Sequence, residues 1–396
     1  MHNIAWVRSL FSILTHYSNP IAYFDNASTT QKPRIILNVF NFVHFRVCAN
    51  LARGKYYLSS KLDSLYALAR QSVLQIARAG AIYECIVYKS ATEALNSVCL
   101  GLKLHASFNV IVSVAEHHSG LMPWLLAENT KGVNINVVSL ERDCIPNIRQ
   151  YLKLTRTANL VLISHVSNVL GVLTPIKLYV NVCKCAHIMS VIDGAQAAPH
   201  FKLNLSRYAC TSYVLTAHKM YGPAGIGVGI SQRELLSELL PIIAGGGGVN
   251  AVGLSPRTYA FANLPFKLEA GSPMSFGLIS LSVLMSWRYK LSFEHEKYVA
   301  RYLWSRLLIT TRVVLVNEYL PSIRILSFEL EFVHADAVCS FLNKIFVCIR
   351  AGAHCAMPLL RYLGRKSVCR VSIAIYNTYK DADALLFGLT YLSVLF

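Results

Sequence analysis

The chain has 396 residues, of which 54% are hydrophobic and only 15% charged, with a formal net charge of +18. That length allows two domains or one large α/β unit. Membrane insertion is not expected, because no run of about 18 apolar residues exists and the best candidate, Leu278 to Trp287, is interrupted by Ser280, Ser282 and Ser286. The basic excess would suit nucleic acid, yet the bases are scattered. Even the densest cluster, Arg361, Arg365, Lys366 and Arg370, carries no helix-turn-helix, zinc-finger or ribonucleoprotein pattern, so no specific nucleic-acid partner is expected.

Residues Trp6 to Leu14 place an arginine before apolar residues but lack a small-residue cleavage site, which reads as a native helix rather than a signal peptide. Eleven cysteines run from Cys48 to Cys369 with no C-x-x-C pair, and Cys183-x-Cys185 is too tight for structural zinc. Reduced thiols of a cytoplasmic protein, with no metal, are the expectation. From Tyr83 onwards short apolar runs alternate with helical patterns. The runs are Ile86–Tyr88, Val110–Val114, Ile135–Val138, Leu160–Ser164, Ile188–Ile192, Tyr213–Thr216 and Gly227–Ile230; helices are expected at Glu93–Leu104, Leu121–Asn129 and Ile176–His187. Such alternation argues an α/β fold with a mostly parallel central sheet, whose ligands bind beyond the carboxyl ends of the strands. The run Gly245–Gly248 marks a loop of close backbone approach. After about Phe276 a long helical stretch, Leu278–Leu308, leads to apolar runs at Arg312–Val316 and Arg324–Leu330 and a helix at Ala335–Lys344. The expected division is a large domain, 22–277, and a smaller α+β domain from 1–21 and 278–396.

The strand ends carry the chemistry. After Tyr88, the turn into a helix offers Thr92 and free amides for a phosphate, although a plain helix cap serves as well. After Val114 come Glu116-His117-His118, where adjacent histidines point apart and an imidazole stacked on a flat ring is preferred to a metal pair. Asn168 follows Ser164, as a substrate ligand or a turn asparagine. Asp193 and Gln196 follow Ile192, and Lys219 follows Thr216 in Thr216-Ala217-His218-Lys219-Met220-Tyr221-Gly222-Pro223. A carboxylate and an amine on neighbouring strand ends are what pyridoxal phosphate chemistry requires: a lysine to hold the aldehyde as a Schiff base and an acid to keep the ring nitrogen protonated. A surface lysine and a capping aspartate are the plainer alternative.

Taken in order, Tyr23 to Pro33, Glu116 to His118, His165 to Gly171, Asp193 to Gln196, Thr216 to Pro223, Glu269 to Pro273 and Arg350-Ala351-Gly352-Ala353-His354-Cys355-Ala356-Met357-Pro358, followed by Cys369-Arg370 and Tyr376-Asn377, resemble the cysteine desulfurases of the class V aminotransferase superfamily, in particular their SUF-type (group II) branch. The resemblance implies a fold-type I pyridoxal phosphate enzyme, a homodimer, that passes sulfur from L-cysteine to an acceptor or scaffold protein of iron–sulfur cluster assembly. It assigns cofactor attachment and proton transfer to Lys219, the ring nitrogen to Asp193, the phenolic oxygen to Gln196 and ring stacking to His117. Phosphate contacts fall to Thr92, Thr216 and His218, with Ser272 from the second subunit; substrate binding falls to Asn168, Arg350 and Arg370. Cys355 matches the nucleophile, and since a thiolate must attack the substrate sulfur, it calls for an electropositive, partly open setting that His354 and Arg350 could supply.

Three departures stand out. Two histidines usual in the family are Ala52 and Tyr56 here, a third is Ala353, and Thr216-Ala217 replaces Ser-Gly. They leave cofactor binding intact and put turnover and acceptor contacts in question. The rivals are selenocysteine lyase activity on the same site and a decayed, non-catalytic binding subunit.

Overall fold

The computed structural model describes residues 4–17, 20–51, 54–317, 319 and 323–395; Ala52 lies outside them. A short strand β1, Ala22–Tyr23, precedes the seven strands of the central sheet. These are β2 (Tyr83–Tyr88), β3 (Asn109–Ser113), β4 (Asn134–Val138), β5 (Leu160–Ser164), β6 (Met189–Asp193), β7 (Ser212–Thr216) and β8 (Gly227–Gln232). Their order is β2-β8-β7-β6-β5-β3-β4. Only β8 runs against the rest, pairing antiparallel with β2 and β7 while the other pairs are parallel.

Helices cover both faces, which explains why the strands read as continuous apolar runs. Every residue of β5 and β7 is buried. Consecutive side chains alternate between two cores: Ile111, Ile163 and Tyr213 join Leu62, Val73 and Met285 on one side, and Val112, Leu162 and Val214 join Leu95 and Trp124 on the other. Each such side chain contributes about 1.5–3 kcal/mol on burial, so this alternation fixes which residues end at the strands' carboxyl edge.

The hairpin β9 (Val249–Leu254) and β10 (Arg257–Phe261) projects after the glycine run. It was not anticipated, because its residues are nearly all exposed and show no buried-face alternation. The close approach expected of the glycine run is made at Gly246, whose carbonyl accepts from the Gly271 N–H at 2.7 Å, and at Gly248, where a Cβ would lie 3.3 Å from that of Ala270; Gly247, at φ +92°, is where the turn requires glycine.

A second sheet orders β11 (Val313–Leu315), β12 (Ile325–Leu330), β15 (Val368–Ser372) and β14 (Arg350–Gly352), all antiparallel, while β13 (Val347–Cys348) pairs in parallel with β1. Helices Glu294–Leu307, Ala335–Lys344 and Tyr379–Leu395 supply Leu303, Val338 and Leu385 to its core with Phe328 and Val371. The stretch expected as one helix from Leu278 to Leu308 is two, Ser275–Lys290 and Glu294–Leu307. The break lets the buried Glu296 carboxylate turn back on the buried Arg288 guanidinium, 2.6 Å away. The first of these helices crosses position 277/278, and its Leu278, Leu281 and Met285 lie in the core of the central sheet. The N-terminal helix is likewise two short ones, Ile4–Ser9 and Ile13–His16.

Candidate active site

Five strand ends and the second sheet converge on a cavity of about 210 Å3. At the end of β2 the cap of helix Ala91–Gly101 is Ser90, whose hydroxyl accepts from the Glu93 N–H at 3.1 Å. Thr92 is therefore released from capping; its hydroxyl lies 2.8 Å from that of Ser119 and both line the cavity. Strand β8 passes so close that a Cβ on Gly227 would lie 2.3 Å from the Ser90 carbonyl carbon. After β7 a short turn, Ala217–Lys219, brings His218 and Lys219 to the same space, and Asp193 ends β6 beside it.

Lys219 makes no side-chain hydrogen bond among the described residues. Burial lowers its ammonium from 10.5 to about 8, against the opposing pull of Asp193. Burial raises Asp193, while the Ala195 N–H, at 2.9 Å, and Lys219 favour its carboxylate. His117 is pushed to about 3 by burial and by the nearby cations, Lys219 first. Its Nδ1 accepts from the Ser119 N–H at 3.1 Å, so the neutral ring carries its proton on Nε2. His218 falls to about 4 through burial and the charges of Lys219 and Lys32. Gln196 donates to the Ala27 carbonyl at 2.7 Å and Thr216 to that of Ile226 at 3.2 Å; both line the cavity. Behind them Glu116 is fully buried, accepting from Ser113 at 2.7 Å and Ser164 at 2.6 Å, and burial raises it to about 7.

Opposite, the second sheet presents Arg350, Cys355 and Arg370. Cys355 is exposed. It and His354 both adopt left-handed backbone, φ +55° and +51°, a strained pair for non-glycine residues. The pair is held from outside: Asn168 Nδ2 donates to the His354 carbonyl at 2.7 Å and the His118 N–H to that of Cys355 at 2.8 Å. His118 Nε2 then accepts from the Met357 N–H at 3.1 Å. The adjacent histidines thus divide, one to the cavity and one to the loop. His354 is buried and driven to about 3, bonded to the Val368 carbonyl at 2.9 Å, so it brings no positive charge to the thiol; that comes from the neighbouring arginines and Lys219.

Arg370 is buried and donates to the Asn168 carbonyl at 3.1 Å, Asp25 at 3.2 Å and Ser28 at 2.8 Å, leaving its buried Nε without a partner among the described residues. Arg350 also donates to Ser28. Sequence reasoning quoted Asp25 and Ser28 within a motif without a role, and it missed Ser119 and Ser164. Ser119, next to the His117-His118 pair, was the one with a visible signal. Ser272 is exposed and lies outside its own chain's cavity.

An amine and a carboxylate, a neutral imidazole and a pair of hydroxyls in one cavity, with a helix N-terminus at its edge, define a class: fold-type I proteins that hold pyridoxal phosphate. The Aminotransferase class-V family profile matches residues 22–385, and the chain belongs to that family. Its similarity is to cysteine desulfurases. Those of Pectobacterium atrosepticum and Yersinia pestis are each 32% identical over 393 and 395 residues, covering 97% of this chain and 96% of theirs. The structure of the cysteine desulfurase CsdA from Escherichia coli superposes with a TM-score of 0.90 at 28% identity, covering 100% of this chain and 99% of that one. An apo cysteine desulfurase from Thermococcus onnurineus shares the fold, with a TM-score of 0.92 at 24% identity.

Proposed function

We propose that this chain is a pyridoxal phosphate-dependent cysteine desulfurase that converts L-cysteine to L-alanine and keeps the sulfur as a persulfide on Cys355. The observation that carries the reading is the meeting, in one cavity, of the Lys219 amine, the Asp193 carboxylate, two guanidiniums and an exposed thiol. The donor set fits the cofactor: Thr92, Ser119, Thr216 and His218 with the helix N-terminus suit a phosphate, and Asp193 suits a protonated ring nitrogen. Bound there, pyridoxal phosphate supplies an electron-accepting ring that weakens the carbon–sulfur bond of cysteine.

The chain's own residues do the rest. Arg350 and Arg370 bind the substrate carboxylate, which their excess of positive charge favours. Lys219, with its lowered affinity for a proton, moves the proton at the substrate Cα. His117 would stack on the ring once it is bound, as a neutral imidazole with its proton on Nε2. The Cys355 thiolate attacks the substrate sulfur; the sulfur–carbon bond breaks, and a proton goes to the carbon that becomes the alanine methyl. Asn168 and His118 fix the loop that presents the thiol.

Two wider parts of the proposal rest on the family. The chain works as a homodimer, with the exposed Val252, Leu254 and Tyr259 of the projecting hairpin and the exposed Ser272 loop facing a second copy. The persulfide passes to an acceptor or scaffold of iron–sulfur cluster assembly in a reducing cytoplasm, which suits eleven cysteines free of disulfides. The test is release of alanine and sulfide from L-cysteine by the holoenzyme, with and without Cys355→Ala. Alanine release should stop in the variant while cofactor binding persists. Undiminished turnover in Cys355→Ala would remove the thiol from the mechanism.

A further inference from the structure

We propose that Ser28 is a positioning residue that sets the spacing of the two arginines offered to the substrate carboxylate, and thereby the affinity for L-cysteine. This rests on the desulfurase reading of the cavity. Arg350 and Arg370 sit directly opposite each other on β14 and β15, an arrangement in which like charges repel. Both point to one hydroxyl. Ser28 Oγ accepts from Arg350 Nη1 and, at 2.8 Å, from Arg370 Nη2, and it donates to Asp25 Oδ1 at 2.6 Å. A serine hydroxyl has one donor and two acceptor sites, so all three are engaged and none is left for the substrate.

Ser28 therefore acts through its neighbours. Asp25 polarises the hydroxyl, the hydroxyl draws the two guanidiniums to a common point, and one carboxylate stands against two cations. The surplus single positive charge at that point matches one substrate carboxylate. Asp25 and Ser28 reach this place because β1 pairs with β13 and Asp25 bridges Ser372 at the end of β15, so the first strand of the chain delivers the hydroxyl to the last strand's arginine. With alanine at position 28, the guanidiniums lose their shared acceptor and move apart.

The test compares holoenzymes of wild type, Ser28→Ala and Ser28→Thr in two readouts: KM and kcat for L-cysteine, and the Kd for the product L-alanine from the change in cofactor absorption. Loss of charge-assisted bonds at this site predicts, for Ser28→Ala, a rise of about tenfold in both KM and Kd with kcat within about twofold. The absorption of the unliganded variant should match wild type. Ser28→Thr, which keeps the hydroxyl, should restore both constants. Unchanged KM and Kd in Ser28→Ala, a fall confined to kcat, or a threonine variant no better than alanine would overturn the inference. A wild-type enzyme that binds L-alanine but makes none from L-cysteine would instead overturn the desulfurase reading, leaving the Kd comparison to judge Ser28.

Discussion

Lys219 holds its proton less tightly than a lysine in water, and this has a measurable sign. A nucleophilic amine must be neutral, so with a value near 8 the rate at which the apoprotein takes up pyridoxal phosphate should rise about tenfold from pH 7 to pH 9 and then level off. A rate still climbing steeply at pH 10 would mean an ordinary lysine. Glu116 shows the opposite displacement. Its carboxyl is raised from 4.5 to about 7 in the folded chain, so the folded state binds the extra proton, and stability is lost as pH rises from 4.5 through 7 and stays lower above it. Glu116→Gln removes that loss. Urea unfolding should show the variant gaining about 1–3 kcal/mol over wild type at pH 8 and nothing at pH 4.5.

Between elements, the cluster around Glu296 joins the two sheets' helices. Arg288 at 2.6 Å, His200 at 3.3 Å and Arg324 at 3.5 Å share one carboxylate with no exposure, and Arg288 also lies 3.8 Å over the Phe293 ring. Neutralising the carboxylate strands buried cations, so Glu296→Gln should lower unfolding stability by about 3–5 kcal/mol. The exposed pair Lys297–Glu294 gives the contrast: Glu294→Gln should leave the urea midpoint indistinguishable from wild type. This cluster also marks where local pattern stopped being informative. Strand β5 and helix Ala335–Lys344 were legible to the residue, because an unbroken apolar run and a strong amphipathic period lie within the segment itself. The break at Leu291–Phe293 was not, since its cause is a contact between Arg288 and residues beyond the break. The same holds at the site. Lys219, Asp193 and His117 announced themselves as strand-end residues, whereas Ser28 gains its meaning from Arg370, 342 residues away, and no local period records such a pairing.

For the molecule as a whole, the hairpin β9–β10 exposes 87% of Leu254 and 68% of Tyr259, and neither joins a hydrophobic core among the described residues. If a second copy covers them, Leu254→Asp should shift the protein from dimer to monomer in analytical ultracentrifugation at micromolar concentration. Because Ser272 follows that hairpin in sequence and lies outside its own cavity, the monomer should also retain pyridoxal phosphate less well on dialysis. A dimer unaffected by Leu254→Asp would place the interface elsewhere.

The strained pair His354–Cys355, tied down at both carbonyls by Asn168 and His118, has a consequence for traffic out of the enzyme. The backbone that carries the thiol is anchored, so the Cys355 Sγ moves only as far as its own side chain can turn. Were its sulfur to go on to a second protein, that protein would have to come to the exposed thiol rather than wait for the loop to reach out.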